Sequence, residues 1–413
     1  MAAPRAAGPR VVALPGRFWL FFGARTVSML GNAFGPIALA FGVLALPGTT
    51  PATLGVVLAA QGIPQLALLL FGGVIGDRFP RYRVLVVAEL VSCLAYAALA
   101  AMLLSGWAPL PVLCAAAFVA GAASALLLPS LTGTVKELVP ADNLQRANGQ
   151  LRLGTNSARV SGLLAAGATV AWLGPGVALA VDAATYLVAA GLLSLLRLPG
   201  AVRTERRNLV GDLQVGWHEV STRRWLLATV AAAGVINAAS AAGLGVLGPV
   251  FARDRLGGAF AWSMVLGGYA VGMLAGVVVA IRFKPRRPLQ AALLFLPALA
   301  LPLIALGTSA ALPLVVLSAV CAGIATDIFG VLWDTLMQTE VPAEALSRVS
   351  SYEYLIALSL KPAGAVFAGY VAAGLGPAAG LLLFGGLILF ATAGALVAPA
   401  VRNHTPRPLG VQQ

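Results

Sequence analysis

Between Phe18 and Leu46 the chain carries a single charge, Arg25, and apolar stretches of this kind follow one another almost to the C-terminus. A helix needs about 20 apolar residues to cross the hydrocarbon of a bilayer. Inside that layer only helices and closed barrels satisfy their own backbone groups. Measured against that length, the sequence divides into twelve candidate spans. The first six are 18–46, 51–76, 84–104, 109–134, 147–172 and 175–197. The second six are 225–250, 260–281, 289–307, 311–337, 349–373 and 377–400. Turns rich in glycine and proline, such as LPGTTPA, SGWAPLP and LGPG, stand between many of them. The first run is longer than the roughly 7–15 residues of a cleavable signal core, so it reads as a retained spanning helix. Charged residues make up 10% of the 413-residue chain, against about 25% in soluble proteins. The sequence therefore predicts an all-α membrane protein with about twelve transmembrane helices, and the lipid bilayer is its first partner.

The net charge of +13 does not point to nucleic acid. That reading needs basic residues clustered on a folded polar module, and the sequence has no such module. The charge sorts by loop instead. Twenty-two of the 27 basic residues fall in one set of alternate loops, only Arg253 and Arg255 in the other, and Arg25, Arg159 and Lys361 within spans. Cytoplasmic loops collect Lys and Arg. Both termini and the mid-chain linker are thus expected in the cytoplasm, and the chain in the cell membrane. Cys93, Cys114 and Cys321 lie in apolar runs without metal spacing, and His218 and His404 are the only histidines. No metal site, cofactor or catalytic constellation is read from these residues, nor a phosphate-binding Gly-x-x-x-x-Gly-Lys-Ser/Thr loop.

The chain is also duplicated. VPADNLQRANGQLRLGTNSARVSGLLAAGATVAWLGP, from Val139, aligns without a gap with VPAEALSRVSSYEYLIALSLKPAGAVFAGYVAAGLGP, from Val341, 202 positions on. Arg146/Arg348, Gly162/Gly364, Gly167/Gly369 and the closing Leu-Gly-Pro coincide, and Arg159 and Lys361 lie at matched depth. Prolines, glycines and charges in register mark a repeated six-helix unit. The predicted architecture is therefore two pseudo-symmetric six-helix bundles, residues 1–197 and 225–400. A cytoplasmic linker at 198–224 joins them, and a cytoplasmic tail follows at 401–413. An amphipathic stretch around Leu213–Val220 is expected on the membrane surface. Parallel repeats of this kind are a transporter plan, with the substrate between the repeats near the midplane.

The densest charge lies between the second and third spans, in GGVIGDRFPRYRVL, residues 72–85. Gly73, Asp77, Arg78 and Arg81, followed by Arg83, resemble the loop signature of the major facilitator superfamily, with Pro80 where that family has Gly and Tyr82 where it has a basic residue. The resemblance covers essentially the whole chain. It implies a gating motif in which Asp77 lies against the N-terminal dipole of the eleventh helix, while Arg78 and Arg81 pair with acids such as Glu137 or Glu353. RTVSMLGNAF, ELVPADNLQRANG, VDAATYLVAA and LWDTLMQTEVP look like the branch that holds macrolide-efflux and enterobactin-exporter-like proteins.

Ionisable groups inside spans are costly and are functional candidates. Asp327, in the tenth span, is the proton-coupling candidate. Arg25, Asn32, Arg159, Asn237, Trp333 and Lys361 are the substrate or cavity candidates, and Gln61 is a weaker one. Asp182 reads as structural, bonded to Asn148, Asn156 or Ser157. Glu89, Asp334 and Glu353 read as latch partners near the cytoplasmic face. The function expected is secondary active export of amphipathic small molecules, a drug or secondary metabolite, by alternating access with protons as the antiported partner. The protein is expected to act as a monomer and not as an enzyme. A proton-coupled importer and a siderophore or anion exporter are the alternatives within the same fold.

Overall fold

The computed structural model describes residues 14–78, 80–140, 143–196 and 217–404; side chains at 69–78, 81, 128–133, 136, 137, 145, 343, 344, 347 and 348 lie outside the description. Twelve long helices follow one another through the described residues. In the first half they are α1 (Gly16–Ala45), α2 (Pro51–Arg78), α3 (Arg81–Ser105), α4 (Leu110–Leu138), α5 (Leu144–Leu173) and α6 (Pro175–Ser194). In the second half they are α7 (Arg224–Leu256), α8 (Gly258–Arg282), α9 (Pro288–Gly307), α10 (Leu312–Glu340), α11 (Ala343–Leu375) and α12 (Pro377–Val397). A four-residue helix, α13 (Pro399–Arg402), closes the described chain. Eleven of the described helices are long and apolar enough to cross a membrane. The remaining long helix, α5, carries Arg146 and Arg152 in its first half and Arg159 at its middle.

Several helices outrun the apolar stretches that announce them. α4 continues to Leu138 and α10 to Glu340, and α11 begins at Ala343. Those extensions are polar, and a helix continues past the hydrocarbon wherever its backbone ladder is satisfied. The predicted surface stretch at 213–216 lies outside the described residues. Its continuation at 217–222 is helical, and the following Arg223 binds the carbonyl and carboxylate of Glu219.

Prolines set the irregularities. α1 is two pieces, Gly16–Asn32 and Phe34–Ala45, joined at Ala33. Pro36 lacks an N–H, and its ring crowds the carbonyl four residues back, at Asn32. α11 breaks at Leu360, two residues before Pro362. α7 contains π-helical turns at Ala241–Leu247 and Ala252–Leu256, on either side of Pro249.

The duplication in the sequence is a duplication of packing. A Cβ at Gly121 would collide with the Gln61 carbonyl, and one at Gly323 with that of Tyr269. At Gly162 it would meet the Leu30 carbonyl, and at Gly364 that of Ala238. The fourth and fifth helices thus map onto the tenth and eleventh at a displacement of 202 (Gly121 to Gly323), and the first two onto the seventh and eighth at 208 (Gln61 to Tyr269). The same holds at the turns. Gly174 and Gly376 take φ 86° and 82°, a left-handed conformation that favours glycine.

The two halves meet along two symmetric seams, α2 with α11 and α5 with α8. Gly369 of α11 lies on the backbone of Ala52, and Gly167 of α5 on Ser263 and the Ala259 carbonyl. Small residues allow such close approach, and van der Waals contact then supplies the association that the hydrophobic effect cannot provide in lipid. These tight approaches lie toward one end of the bundle, which holds the turns at Gly48, Gly106, Gly174, Gly257 and Gly376. We call it the far end. The opposite, linker end holds 139–140, 143, 217–223, 283–287 and 341–342.

Candidate transport site

On α5 the residues Arg152, Asn156 and Arg159 recur at i, i+4 and i+7, so they share one helix face. That face looks across the α5–α8 seam at Asp327 of α10. The four line a pocket of about 190 Å³, floored by Ala270, Met273 and neighbours on α8. Arg159 and Asp327 each lie near the middle of their helices, and the far-end turns are a further two turns or more away. The pocket forms because α8 is thin where it backs onto α10. Gly272 and Gly276 let it lie against the Val320 and Ile324 carbonyls. Beside it, the hydroxyls of Tyr269 and Thr326 are 2.8 Å apart. Asp327 is half-buried, and the positive charges acting on it are Arg159 and Arg152. Among the described residues no ion pair joins them. The pocket therefore presents two cations and one carboxylate at the junction of the halves, all free to meet a solute.

The other predicted candidates do not converge there. Lys361 begins the second segment of α11, on the α2–α11 seam, where the next residue, Pro362, faces Gly62. It lies on the seam symmetric to that of Arg159, outside the pocket. Arg25 is 3.8 Å from Glu89, inside the first half. Asn32 is exposed at the break in α1, and Asn237 donates to the Ala233 carbonyl of its own helix at 2.9 Å. Trp333 is buried and donates through Nε1 to Glu353 Oε1 at 3.0 Å, which ties α10 to α11. It stacks on Phe329 and meets Trp225 edge-on. The side chains of Gly73, Asp77, Arg78 and Arg81 lie outside the described residues.

A polar cluster that sequence reasoning did not assemble occupies the interior of the first half. Ser28 Oγ donates to both carboxylate oxygens of Glu89, at 3.0 and 3.1 Å. Gln61 Nε2 donates to the Tyr96 hydroxyl at 3.1 Å, and the Tyr96 and Tyr186 rings stack at 5.4 Å. Asp182 is fully buried, and its carboxylate oxygens have no side-chain hydrogen-bond partner among the described residues; the Gly35 backbone N–H is the donor turned toward them. The structural role expected for it, bonding Asn148, Asn156 or Ser157, is not what is found. Its oxygens lie against Gly31 and Gly35 of α1 instead. Glu89 is likewise no surface latch but a fully buried partner of Arg25. The available signal was spacing. Asp182 and Tyr186 are four apart, and Glu89 and Tyr96 seven apart, so each pair shares a helix face.

At the far end, Arg253 of α7 donates through Nη1 to the Leu44 carbonyl at 2.9 Å, a bond between the halves. Its guanidinium meets the negative end of the α1 dipole there.

Two six-helix repeats with a charged pocket at their junction follow the plan of a membrane transporter. The sequence pattern of the Major Facilitator Superfamily matches residues 18–360, and the chain belongs to that superfamily. It is 35% identical over 188 residues to the chloramphenicol resistance protein of Streptomyces lividans, covering 45% of this chain and 47% of that protein. It is 26% identical over 279 residues to the uncharacterized MFS-type transporter YvqJ of Bacillus subtilis (strain 168), covering 65% of each. The chain thus spans about half the length of the first relative and just under two thirds of the second. Among solved structures it resembles a POT family transporter in complex with 5-aminolevulinic acid, with a TM-score of 0.75 at 12% identity over 93% of this chain and 96% of that one. It also resembles the nucleoside transporter NupG, with a TM-score of 0.70 at 11% identity over 94% and 100%. A bacterial homolog of the human lysosomal transporter Spinster, inward-facing and unoccupied, gives 0.71 at 15% over 95% and 98%. At those identities the likeness is one of fold.

Proposed function

We propose that this transporter exports amphipathic small molecules, a drug or secondary metabolite, from the cytoplasm in exchange for protons. The observation that carries the reading is the asymmetry of the junction. The tight contacts between halves lie toward the far end, while the charged pocket opens between α5, α8 and α10 nearer the linker end. With the linker end cytoplasmic, as the distribution of basic residues favours, a solute enters from inside, and export requires the far-end contacts to part. The halves, residues 1–197 and 225–400, rock about the two seams. Gly73, Asp77, Arg78 and Arg81 fasten the linker end in the outward state, by contacts weak enough to break in each cycle. Asp327 binds the exchanged proton and Arg159 the solute. The drug-resistance relative favours export, and the apolar lining of the pocket suits a substrate that is not a sugar. The excess of Arg152 and Arg159 over Asp327 favours a second reading, an exporter of anionic amphiphiles such as siderophores.

Everted membrane vesicles with an imposed proton gradient test this. Uptake of radiolabelled chloramphenicol, or of the cationic dye ethidium, is expected on acidifying the lumen and is abolished by a protonophore. Asp327→Asn is expected to lose gradient-driven uptake and keep downhill exchange. Gradient-driven uptake in right-side-out vesicles alone would replace export by import.

A further inference from the structure

The interior of the first half holds three ionisable side chains that the transport pocket does not use: Arg25 of α1, Glu89 of α3 and Asp182 of α6. Arg25 and Glu89 offset one another, and Ser28 completes the Glu89 carboxylate. Asp182 then adds a second carboxyl at 0% exposure, with no side-chain hydrogen-bond partner among the described residues and only the Gly35 backbone N–H turned toward it. The groups facing it are Glu89 and Tyr96 from α3, Tyr186 on its own helix, and Arg25 beyond Glu89. α5, the remaining neighbour, brings it no charge among the described residues. A second uncompensated negative charge in such a place costs several kcal/mol, whereas one proton on the acid pair makes the set of three neutral.

The second half is the internal control. It has the same skeleton and none of this chemistry. Displaced by 202, Asp182 becomes Phe384 and Tyr186 becomes Ile388, both buried. Displaced by 208, Arg25 becomes Ala233 and Gly35 becomes Gly243. Gly35 abuts Tyr96 and Asp182, and Gly243 abuts Leu303. Packing at this place in the fold therefore needs only apolar side chains, so stability does not account for the buried charges of the first half.

We propose that Glu89 and Asp182 form a proton-binding site inside the first half, separate from Asp327, holding one exchangeable proton beside Arg25. The proposal deepens the antiport reading and rests on it for its role in transport. The site connects to the moving parts at two places. Asp182 lies against Gly31 and Gly35, on both sides of the Ala33 break in α1. Tyr96, beside Gly35, is bonded to Gln61 of α2. The residue after Gln61, Gly62, faces Pro362 across the seam between halves. A shift of α1 at its break changes how far Asp182 is enclosed, and with it whether the proton stays.

The test uses the full chain reconstituted in phosphatidylcholine/phosphatidylglycerol vesicles, with infrared difference spectra between acid and alkaline pH. The wild type is expected to show a protonated-carboxyl C=O band that Asp182→Asn removes and Asp327→Asn retains, with Glu89→Gln shifting its pH midpoint. An amide is the closest shape mimic of a neutral carboxyl, so Asp182→Asn is expected to accumulate as folded protein while gradient-driven uptake falls at least about tenfold. Survival of the band in Asp182→Asn would overturn the proposal, and so would failure of that variant to fold or wild-type uptake by it. A wild type that shows the Asp182 band but no gradient-driven uptake would refute proton antiport and leave the proton site standing.

Discussion

The two seams are copies of one another, yet one is closely packed by glycines from both helices and the other opens into a charged pocket. Along α2 and α11 each helix contributes a glycine that meets partner backbone: Gly369 on Ala52, and Gly55 on the Ala365 carbonyl. Along α5 and α8, Gly167 is tight, but a Cβ at Gly267 would meet only the flexible Leu164 side chain, at ordinary contact distance. Below that point the helices part, and Arg152, Asn156 and Arg159 face the pocket. A duplicated frame thus supplies two equivalent axes, and divergence has kept one closely packed and opened the other into a charged pocket; on the proposed function the first is the pivot and the second the binding wall. Symmetric position does not imply equal function: Arg159 and Lys361 occupy matched positions, but only Arg159 lines the pocket.

The largest expected effect separates the seams directly. Gly369→Val and Gly55→Val force branched side chains into partner backbone, which cannot yield as a side chain can. Overpacking of this kind costs about 1–3 kcal/mol, up to about a hundredfold in the closing equilibrium at about 1.36 kcal/mol per decade. Gly267→Val is expected to change uptake by less than about twofold, since Leu164 can change rotamer. Initial uptake rates in everted vesicles measure both. Equal losses at Gly55 and Gly267 would remove the distinction between pivot and wall.

Next in size is the contrast of the paired cations. Arg159→Gln is expected to raise KM about tenfold for an anionic amphiphile, the loss of about one charge-assisted hydrogen bond, with kcat little changed. Lys361→Gln is expected to leave KM within about twofold and to act on turnover, because it stands at the break of α11 on the pivot. If both substitutions raise KM equally, Lys361 belongs to the solute site in another state of the cycle.

How much of this was legible in the sequence follows from which forces act locally. Span lengths and duplication are one-dimensional signals, and they gave the helices to within a few residues except where polar ends extend them. The match of Gly162 to Gly364 and Gly167 to Gly369 was readable as identity. That Gly121 and Gly323 belong to the same set was not read, because those glycines lie in apolar helices without flanking charges to fix the register. Asp327 and Arg159 were readable as costly groups at mid-span, and their meeting across the junction follows from the fold. The partner of Arg25 was not readable. Glu89 lies 64 residues away (89 − 25) on another helix, and depth in the bilayer, not distance along the chain, brings the two together. The surroundings of Asp182 were not readable either, because Gly31 and Gly35 come from α1, about 150 residues earlier in the chain (182 − 31 and 182 − 35), and not from the nearer Asn148, Asn156 or Ser157.

A smaller effect is expected at the far end. The bond from Arg253 to the Leu44 carbonyl is part-buried, on an arginine that also pairs with Asp254, so its loss in Arg253→Ala is worth about 1 kcal/mol. That change is expected to raise labelling of an Ala365→Cys reporter, buried where α11 meets Gly55 of α2, several-fold by favouring the state with the far end open. Labelling unchanged by the substitution would make the contact incidental to closure.

The smallest effect concerns His404, just after α13, where the chain returns to the linker end of α7. Its ring lies 4.8 Å from that of Trp225, and its Nε2 is buried without a partner among the described residues. Burial pushes its pKa below the ordinary histidine value of 6.5, and the nearby Glu340 opposes the shift. A lowered value means that the docked form prefers the neutral ring. Docking is therefore at full strength above the ordinary value and weakens as pH falls through it. Amide exchange at residues 399–404 is expected to quicken modestly between neutral and mildly acid pH, and His404→Phe, which keeps the ring on Trp225, is expected to abolish the dependence. Persistence of the pH effect in that variant would move its origin to Glu340, at the end of α10, and thus to the helix whose middle carries Asp327.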